Sequence, residues 1–170
     1  MQPSDALGLA AQIAVALAGF AGVVVAFRSG LVHEWKAIDK MRLRFLLNNS
    51  ITPLILCLLA LWLVSVDPDQ VWIWRACSAL AIVLITLIGI LMGGSSRSSL
   101  RNLEWDRGSR LLFFSFSVLG IVAMILQIYN LAVLNTFWPF YAAVIFQLVT
   151  GAVQFLRLIL IQPESPHKLT

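Results

Sequence analysis

Charged residues are scarce in this sequence. Of its 170 residues only 12% are Asp, Glu, Lys or Arg, whereas 60% are hydrophobic and the mean hydropathy is +0.90. A soluble domain carries about 25% charged residues. The composition therefore excludes an ordinary soluble domain and indicates one transmembrane domain over residues 1–170. The net charge of +4 is explained by membrane topology, so no nucleic-acid partner is predicted.

Residues that carry chemistry are equally sparse. Cys57 and Cys77, the only cysteines, lie in apolar segments and provide neither a metal-binding spacing nor a disulfide framework, so we expect reduced thiols. The only adjacent acid–base pair, His33 and Glu34, is expected at the membrane surface. The motifs of zinc proteases, serine hydrolases and phosphate-binding loops are absent. The sequence therefore predicts no metal and no cofactor, and a membrane enzyme is the least favoured class. The spans also lack the buried carboxylate typical of proton- or sodium-coupled pumps.

Five apolar segments are long enough to cross a bilayer, which needs about 20 residues per helix. They predict spans at about 6–27, 45–66, 71–94, 111–134 and 137–161. The last two are separate helices, because one segment from 111 to 161 is about twice too long for a single crossing. The N-terminus lacks the basic region of a signal peptide, so we expect the first span to be retained. The fold class is thus all-α, a polytopic bundle of five transmembrane helices, followed by a short cytoplasmic tail at 162–170.

Lysine and arginine are distributed unevenly between the predicted loops. Of the 12 basic residues, all except Arg75 lie after the first and third spans or at the C-terminal end. By the positive-inside rule the chain begins outside the cell and ends inside it. Anionic lipid headgroups are the predicted partners of six residues: Lys36, Lys40, Arg42, Arg44, Arg107 and Arg110. These residues would also be explained if they only fix the orientation of the chain in the membrane and bind no particular lipid.

The two basic loops resemble each other. Glu34-Trp35 recurs seventy residues later as Glu104-Trp105, and Gly19 recurs as Gly89. The pattern is either a weak tandem repeat of two hairpins, as in some transporters, or a chance similarity. Apolar residues between 31 and 45 recur at helical spacing. This segment is either an amphipathic helix at the headgroups or a cytoplasmic extension of the second span.

Small residues form a stripe on the first span, at alternating steps of four and three residues that share one helix face. In lipid, helices associate where small residues let their backbones approach. We therefore expect this span at the centre of the bundle. Alternatively, the stripe of small residues lines one side of a pore. The predicted helix-packing face, which also suits self-association, contains Gly8, Gln12, Gly19, Gly22 and Ala26.

Polar side chains within the spans gather near the predicted cytoplasmic end, where each needs a partner or water. They form a candidate pore layer from three helices: Asn48, Asn49, Ser50, Ser115, Ser117, Gln154 and Arg157. Arg157 either extends to the inner headgroups or favours anions in an inner vestibule. Pro53 is expected to free the carbonyl of Asn49. Interhelical hydrogen bonds explain a second, thinner polar level that contains Gln12, Gln127 and Gln147.

The sequence ALAGFAGVVVAFR at 16–28, with Trp35 and RLRFLL at 42–47, resembles small uncharacterised bacterial multi-spanning inner-membrane proteins. The resemblance covers the first third of the chain and implies a bacterial inner-membrane location. The leading functional hypothesis is a homo-oligomeric channel-like protein whose path runs between protomers and narrows at the polar layer. The alternative is a non-conducting scaffold, sensor or accessory subunit that docks a partner helix at Gly19 and Gly22 or binds anionic lipid.

Overall fold

The computed structural model describes residues 2–27, 35, 37–66, 72–101 and 107–160. Every regular element in these residues is helical. The elements are α1 (Pro3–Phe27), α2 (Ala37–Val66), α3 (Trp72–Arg101), α4 (Arg107–Tyr129), a short π-helix (Asn130–Leu134) and α5 (Phe137–Leu160). The part of the chain that the structure describes has five helices long and apolar enough to cross a membrane. The prediction of five apolar spanning helices is confirmed, whereas the orientation and the tandem repeat stay predictions.

The second helix begins well before the predicted boundary at residue 45. α2 is continuous from Ala37 and contains 30 residues, which corresponds to about 45 Å. The hydrocarbon core of a bilayer is only about 30 Å thick, so α2 is longer than an untilted crossing requires. Of the two forms that the sequence left open, a helical extension of the second span is the observed one over residues 37–44, and residues 31–34 and 36 lie outside the described ranges. α3 likewise continues past residue 94 and ends at Arg101.

α2 and α5 form the centre of the bundle. α2 packs against α1, α3 and α5, and α5 contacts the four other helices. α1 lies against α2 and α5, and α4 lies against α5 and α3. The expectation that the first span occupies the centre is therefore wrong. α1 packs through a face of alanine and leucine side chains and leaves its glycine stripe outside.

A hydrophobic core joins α1, α2, α3 and α5 at the end of the bundle where α1, α3 and α5 begin, here called the upper end. It includes the free thiols of Cys57 and Cys77. A second, smaller cluster lies around Trp35 at the opposite, lower end, where it joins the start of α2 to the last turns of α1 and α5. The largest fully buried side chains of the upper core include Phe140, Leu7, Leu56, Ile73 and Val144.

α4 is the least buried of the five helices. Only 11% of the residues in its spanning window are buried, against 39% for α5. One of its apolar contacts is with Phe146 of α5, whose ring centroid lies 6.3 Å from that of Phe116. Gly120 lies beside the same ring. Because so little of α4 is packed, its position depends strongly on the polar contacts at its upper end.

Candidate functional site

α2 and α5 cross closely where Asn49 meets Gly151. A Cβ atom at Gly151 would lie 3.4 Å from the carbonyl oxygen of Asn49 and 3.5 Å from its Cβ. Pro53 is fully buried four residues further along α2 and has no N–H, so the Asn49 carbonyl lacks its usual helical donor. The freed carbonyl lies against the glycine backbone of α5, where a weak Cα–H···O contact is available to it.

Polar side chains near this crossing bond to their own helices. Ser50 Oγ, which is fully buried, donates to the Leu46 carbonyl at 2.8 Å. Asn49 Nδ2 donates to the Phe45 carbonyl at 2.9 Å, and on α5 Thr150 Oγ1 donates to the Phe146 carbonyl at 2.8 Å. Such bonds satisfy a polar group within lipid without water or a neighbouring helix.

The structure brings part of the predicted polar layer together. Asn48 and Asn49 are half-buried on α2, Ser50 is buried beside them, and Gln154 and Arg157 are half-buried on α5, which packs against α2. The third helix behaves differently. Ser115 and Ser117 are exposed on α4, which packs against α5 and α3. In one chain the layer therefore comprises residues from two helices.

The predicted packing face of α1 is open. Gly8 is half-buried and Gln12, Gly19, Gly22 and Ala26 are exposed. No atom lies within 4 Å of the position that a Cβ would take at any of the three glycines. The expectation of packing inside the bundle is corrected, because the opposite face of α1 makes the contacts with α2 and α5. That buried face contains Ala6, Leu7, Ala10, Ala11, Ala14, Leu17 and Ala21.

The basic residues predicted at the headgroups differ in exposure. Arg44 is exposed and Lys40 is half-buried. Arg42 is buried, and its Nη1 donates to Asp39 Oδ1 at 3.2 Å, with both side chains 7% exposed. Asp39 lies in the first turn of α2, where the helix dipole favours a carboxylate, and the i, i+3 spacing brings the two groups together. The Arg42 side chain therefore faces protein, and lipid contact of the six basic residues stays a prediction.

Several other sequence-predicted residues cannot be placed. His33, Glu34, Lys36 and the tail at 162–170 lie outside the described residues, as do the side chains of Arg107 and Arg110.

A polar network holds α3, α4 and α5 together at the upper end. Gln127 and Asn130 are both fully buried. Gln127 Nε2 donates to the Pro139 carbonyl at 2.6 Å, and Asn130 Nδ2 donates to Ser78 Oγ at 2.7 Å. The interhelical bond expected for Gln127 is present, whereas Gln12 of the same predicted level is exposed. Sequence reasoning did not single out Asn130 or Ser78. Their only signal was polarity inside an apolar segment.

The backbone between α4 and α5 supports this network. After the π-helix, Asn135 adopts the left-handed conformation, with φ 50° and ψ 48°, and its N–H donates to the Asn130 carbonyl at 2.9 Å. Asparagine tolerates this conformation better than most residues. Asn130 Oδ1 accepts the Thr136 N–H at 3.0 Å, and its Nδ2 also reaches the Thr136 carbonyl at 3.1 Å. The predicted separation of the fourth and fifth spans at residues 135–136 is confirmed.

Three buried side-chain atoms lack a hydrogen-bond partner within the described ranges: Gln127 Oε1, Asn135 Oδ1 and Gln147 Nε2. An unsatisfied buried group costs about 1–3 kcal/mol. Two of these atoms are acceptors in the network between α4 and α5. The third is a donor near the middle of α5.

Comparison with protein-family models, with curated proteins and with solved structures finds no match for this chain. Among the residues that the structure describes, no group of three or more His, Cys, Asp or Glu side chains could hold a metal ion.

Proposed function

We propose that this chain is a multi-pass protein of a bacterial inner membrane that acts as a non-conducting scaffold or accessory subunit. Its N-terminus lies outside and its C-terminal end inside. It docks a partner helix on the outward face of α1, and that partner is α1 of a second copy. The observation that carries the proposal is the open state of this face, where Gly8, Gly19 and Gly22 have no neighbour within 4 Å of their Cβ positions.

Gln12 favours a second copy as the partner. Its amide is exposed in an otherwise apolar face and makes no hydrogen bond to the described part of the chain. Hydrocarbon offers an amide no partner. In a two-fold interface the same surface meets itself, so two Gln12 amides would face each other and exchange hydrogen bonds. Gly22 and Ala26, four residues apart, would let the two backbones approach.

The crossing of α2 and α5 supports the absence of conduction through one protomer. The contact between Asn49 and Gly151 fills the space between the two central helices at this level. The hydroxyl and amide groups around it are bonded to their own helices and leave little for an ion to replace. The exposed Arg44 and the half-buried Lys40 are proposed to contact anionic lipid at the lower end.

Oxidative cross-linking tests the proposed interface. Gln12→Cys should form a disulfide-linked dimer in native membranes, because the two copies of residue 12 face each other. Gly89→Cys is the matched control, since Gly89 is an equally open position on α3. Cys57 and Cys77 are buried and should not contribute. Equal cross-linking at residues 12 and 89, or none at residue 12, would count against the interface.

A channel between protomers is the second candidate. The buried Gln147 Nε2 has no acceptor within the described residues and favours it, because an ion or water moving along α5 would supply one. Gln154 and Arg157 continue the same side of α5 towards the lower end. In that case purified protein in liposomes would pass small ions, and Arg157→Glu would shift the preference from anions to cations. Silent liposomes under voltage, tension and pH changes would leave the scaffold as the function.

A further inference from the structure

We infer that the crossing of α2 and α5 is a hinge, at which the lower parts of both helices swing together relative to the upper core. The hinge consists of residues 49–53 on α2 and residues 150 and 151 on α5. This inference goes beyond the proposed function, because it concerns motion within one chain and does not depend on what α1 binds.

The apolar packing of the two central helices is divided at this level. On α2 the buried part of the lower cluster ends at Leu46, and the buried part of the upper core begins at Leu56. On α5 the buried part of the upper core ends at Leu148, and the lower cluster contains Leu158. The buried residues between these limits are Ser50, Thr52 and Pro53 on α2, and Thr150 and Gly151 on α5. A mostly polar level therefore separates two parts that are each held together by apolar side chains.

The backbone of α2 is weakened at this level. Pro53 has no N–H to donate to the Asn49 carbonyl, and its ring crowds that carbonyl. Ser50 Oγ donates to the Leu46 carbonyl at 2.8 Å, an arrangement that loosens and bends helices. α2 nevertheless continues as one helix from Ala37 to Val66, so it can bend here without breaking.

α5 has a matching weak point opposite α2. Thr150 Oγ1 donates to the Phe146 carbonyl at 2.8 Å, as Ser50 does on α2. The next residue, Gly151, belongs to the residue type that favours an α-helix least after proline. A Cβ at Gly151 would lie 3.4 Å from the carbonyl oxygen of Asn49. The weakened parts of the two helices therefore face each other, and both helices can bend at one level.

The contact between Asn49 and Gly151 is the pivot. When two helices rotate about their point of closest approach, atoms at that point move least and atoms at the helix ends move most. The lower cluster around Trp35 joins the start of α2 to the last turns of α5, so these segments move together. The upper core joins α2 and α5 to α1 and α3 and stays in place.

α1 passes the level of the hinge as a continuous helix. Its contact with the lower cluster consists of Ala21, with Val24 and Val25 beside it. The ring of Phe20 also stacks on that of Phe155, with 5.6 Å between the centroids. Short side chains and a stacked ring contact let packed helices slide past each other. The lower parts of α2 and α5 can therefore move along α1 while α1 stays with the upper core.

Distances between two spin labels on α2, measured by double electron–electron resonance, test the hinge. Arg44→Cys and Trp62→Cys place the labels at exposed positions, each two and a half turns from Pro53 and therefore on the opposite face. In a straight helix these positions are about 27 Å apart, and bending away from the proline ring brings them closer. The matched control is Asp5→Cys with Val23→Cys, an exposed pair with the same spacing on α1 and no proline between. Both pairs are measured in lipid nanodiscs after dilution with unlabelled protein, which removes distances between copies.

The α2 pair should give a distance distribution about twice as wide as that of the α1 pair. Pro53→Ala restores the N–H that the Asn49 carbonyl lacks, so the α2 distribution should narrow to the α1 width and move to longer distance. Pro139→Ala should leave it broad, because Pro139 lies in the first turn of α5, where an N–H has no helical partner.

Two results would overturn the hinge. A wild-type α2 distribution as narrow as that of α1 would show a straight helix or a fixed bend, and this comparison does not depend on the folding of any proline variant. A broad distribution that Pro53→Ala leaves broad would show that the motion does not arise at this level.

Discussion

At the scale of single residues, α2 and α5 approach closely at Gly151 because glycine has no side chain. A Cβ at Gly151 would meet the carbonyl and Cβ of Asn49, whereas a Cβ at Gly89 or at the glycines of α1 would meet no atom within 4 Å. The same residue type therefore has two roles, as a contact in the centre and as an open position on the surface. Arginine likewise has two environments on α2. Arg42 is buried in an ion pair with Asp39, whereas Arg44, two residues later, is exposed.

Gly151→Leu should destabilise the protein by about 1–3 kcal/mol, because the new side chain must push α2 away from α5. Gly89→Leu adds the same side chain at an open position of α3 and should change stability by less than about 0.5 kcal/mol. Thermal unfolding of both variants in one detergent gives the comparison. Equal stability of the two variants would show that α2 and α5 can move apart at this crossing at no cost in stability, and would contradict the prediction.

At the scale of helices, α4 is attached differently from the others. The upper core is built from α1, α2, α3 and α5, and α4 contributes no residue to its buried part. Its upper end is instead bonded through Gln127 to Pro139 and through Asn130 to Ser78. Local opening of the bundle should therefore begin at α4, since few buried apolar contacts oppose it.

The bond between Asn130 and Ser78 can be measured by a double-mutant cycle with Asn130→Ala and Ser78→Ala. We expect a coupling free energy of about 0.6–1.7 kcal/mol, the range found for interhelical hydrogen bonds in membranes. Hydrogen exchange should accelerate in α4 of the Asn130→Ala variant and stay unchanged in α1. Additive effects of the two substitutions would show that the bond does not hold α4 in place.

The helices could be predicted from the sequence, but their packed faces could not. Apolar length alone gives five spans, and the polar dipeptide Asn135-Thr136 marks the turn before α5. In lipid both faces of a helix are apolar, so hydrophobic periodicity does not tell which face meets protein. For α1 the glycine stripe indicated the wrong face for packing within the chain. Ser78 and Asn130 are each marked only by their polarity, and nothing in the sequence indicates that these two residues, which lie far apart along the chain, bond to each other.

At the scale of the whole molecule, two helices have large surfaces that the chain itself does not cover. α4 exposes large side chains, such as Phe114, Ile121 and Ile125, which suit contact with acyl chains. α1 also exposes large side chains, such as Val15 and Val23, but between them it presents glycines and Gln12, which suit contact with another helix. This difference makes α1, and not α4, the surface through which copies of the protein are expected to associate.

The oligomeric state in lipid nanodiscs tests this account most directly. Counting subunits by single-molecule photobleaching should give dimers for the wild-type protein and monomers for Gly19→Leu, because a leucine side chain keeps the two α1 backbones apart. Gly89→Leu should remain dimeric. A monomeric wild-type protein, or a dimer that Gly19→Leu leaves intact, would contradict the proposal that the open face of α1 binds a second copy.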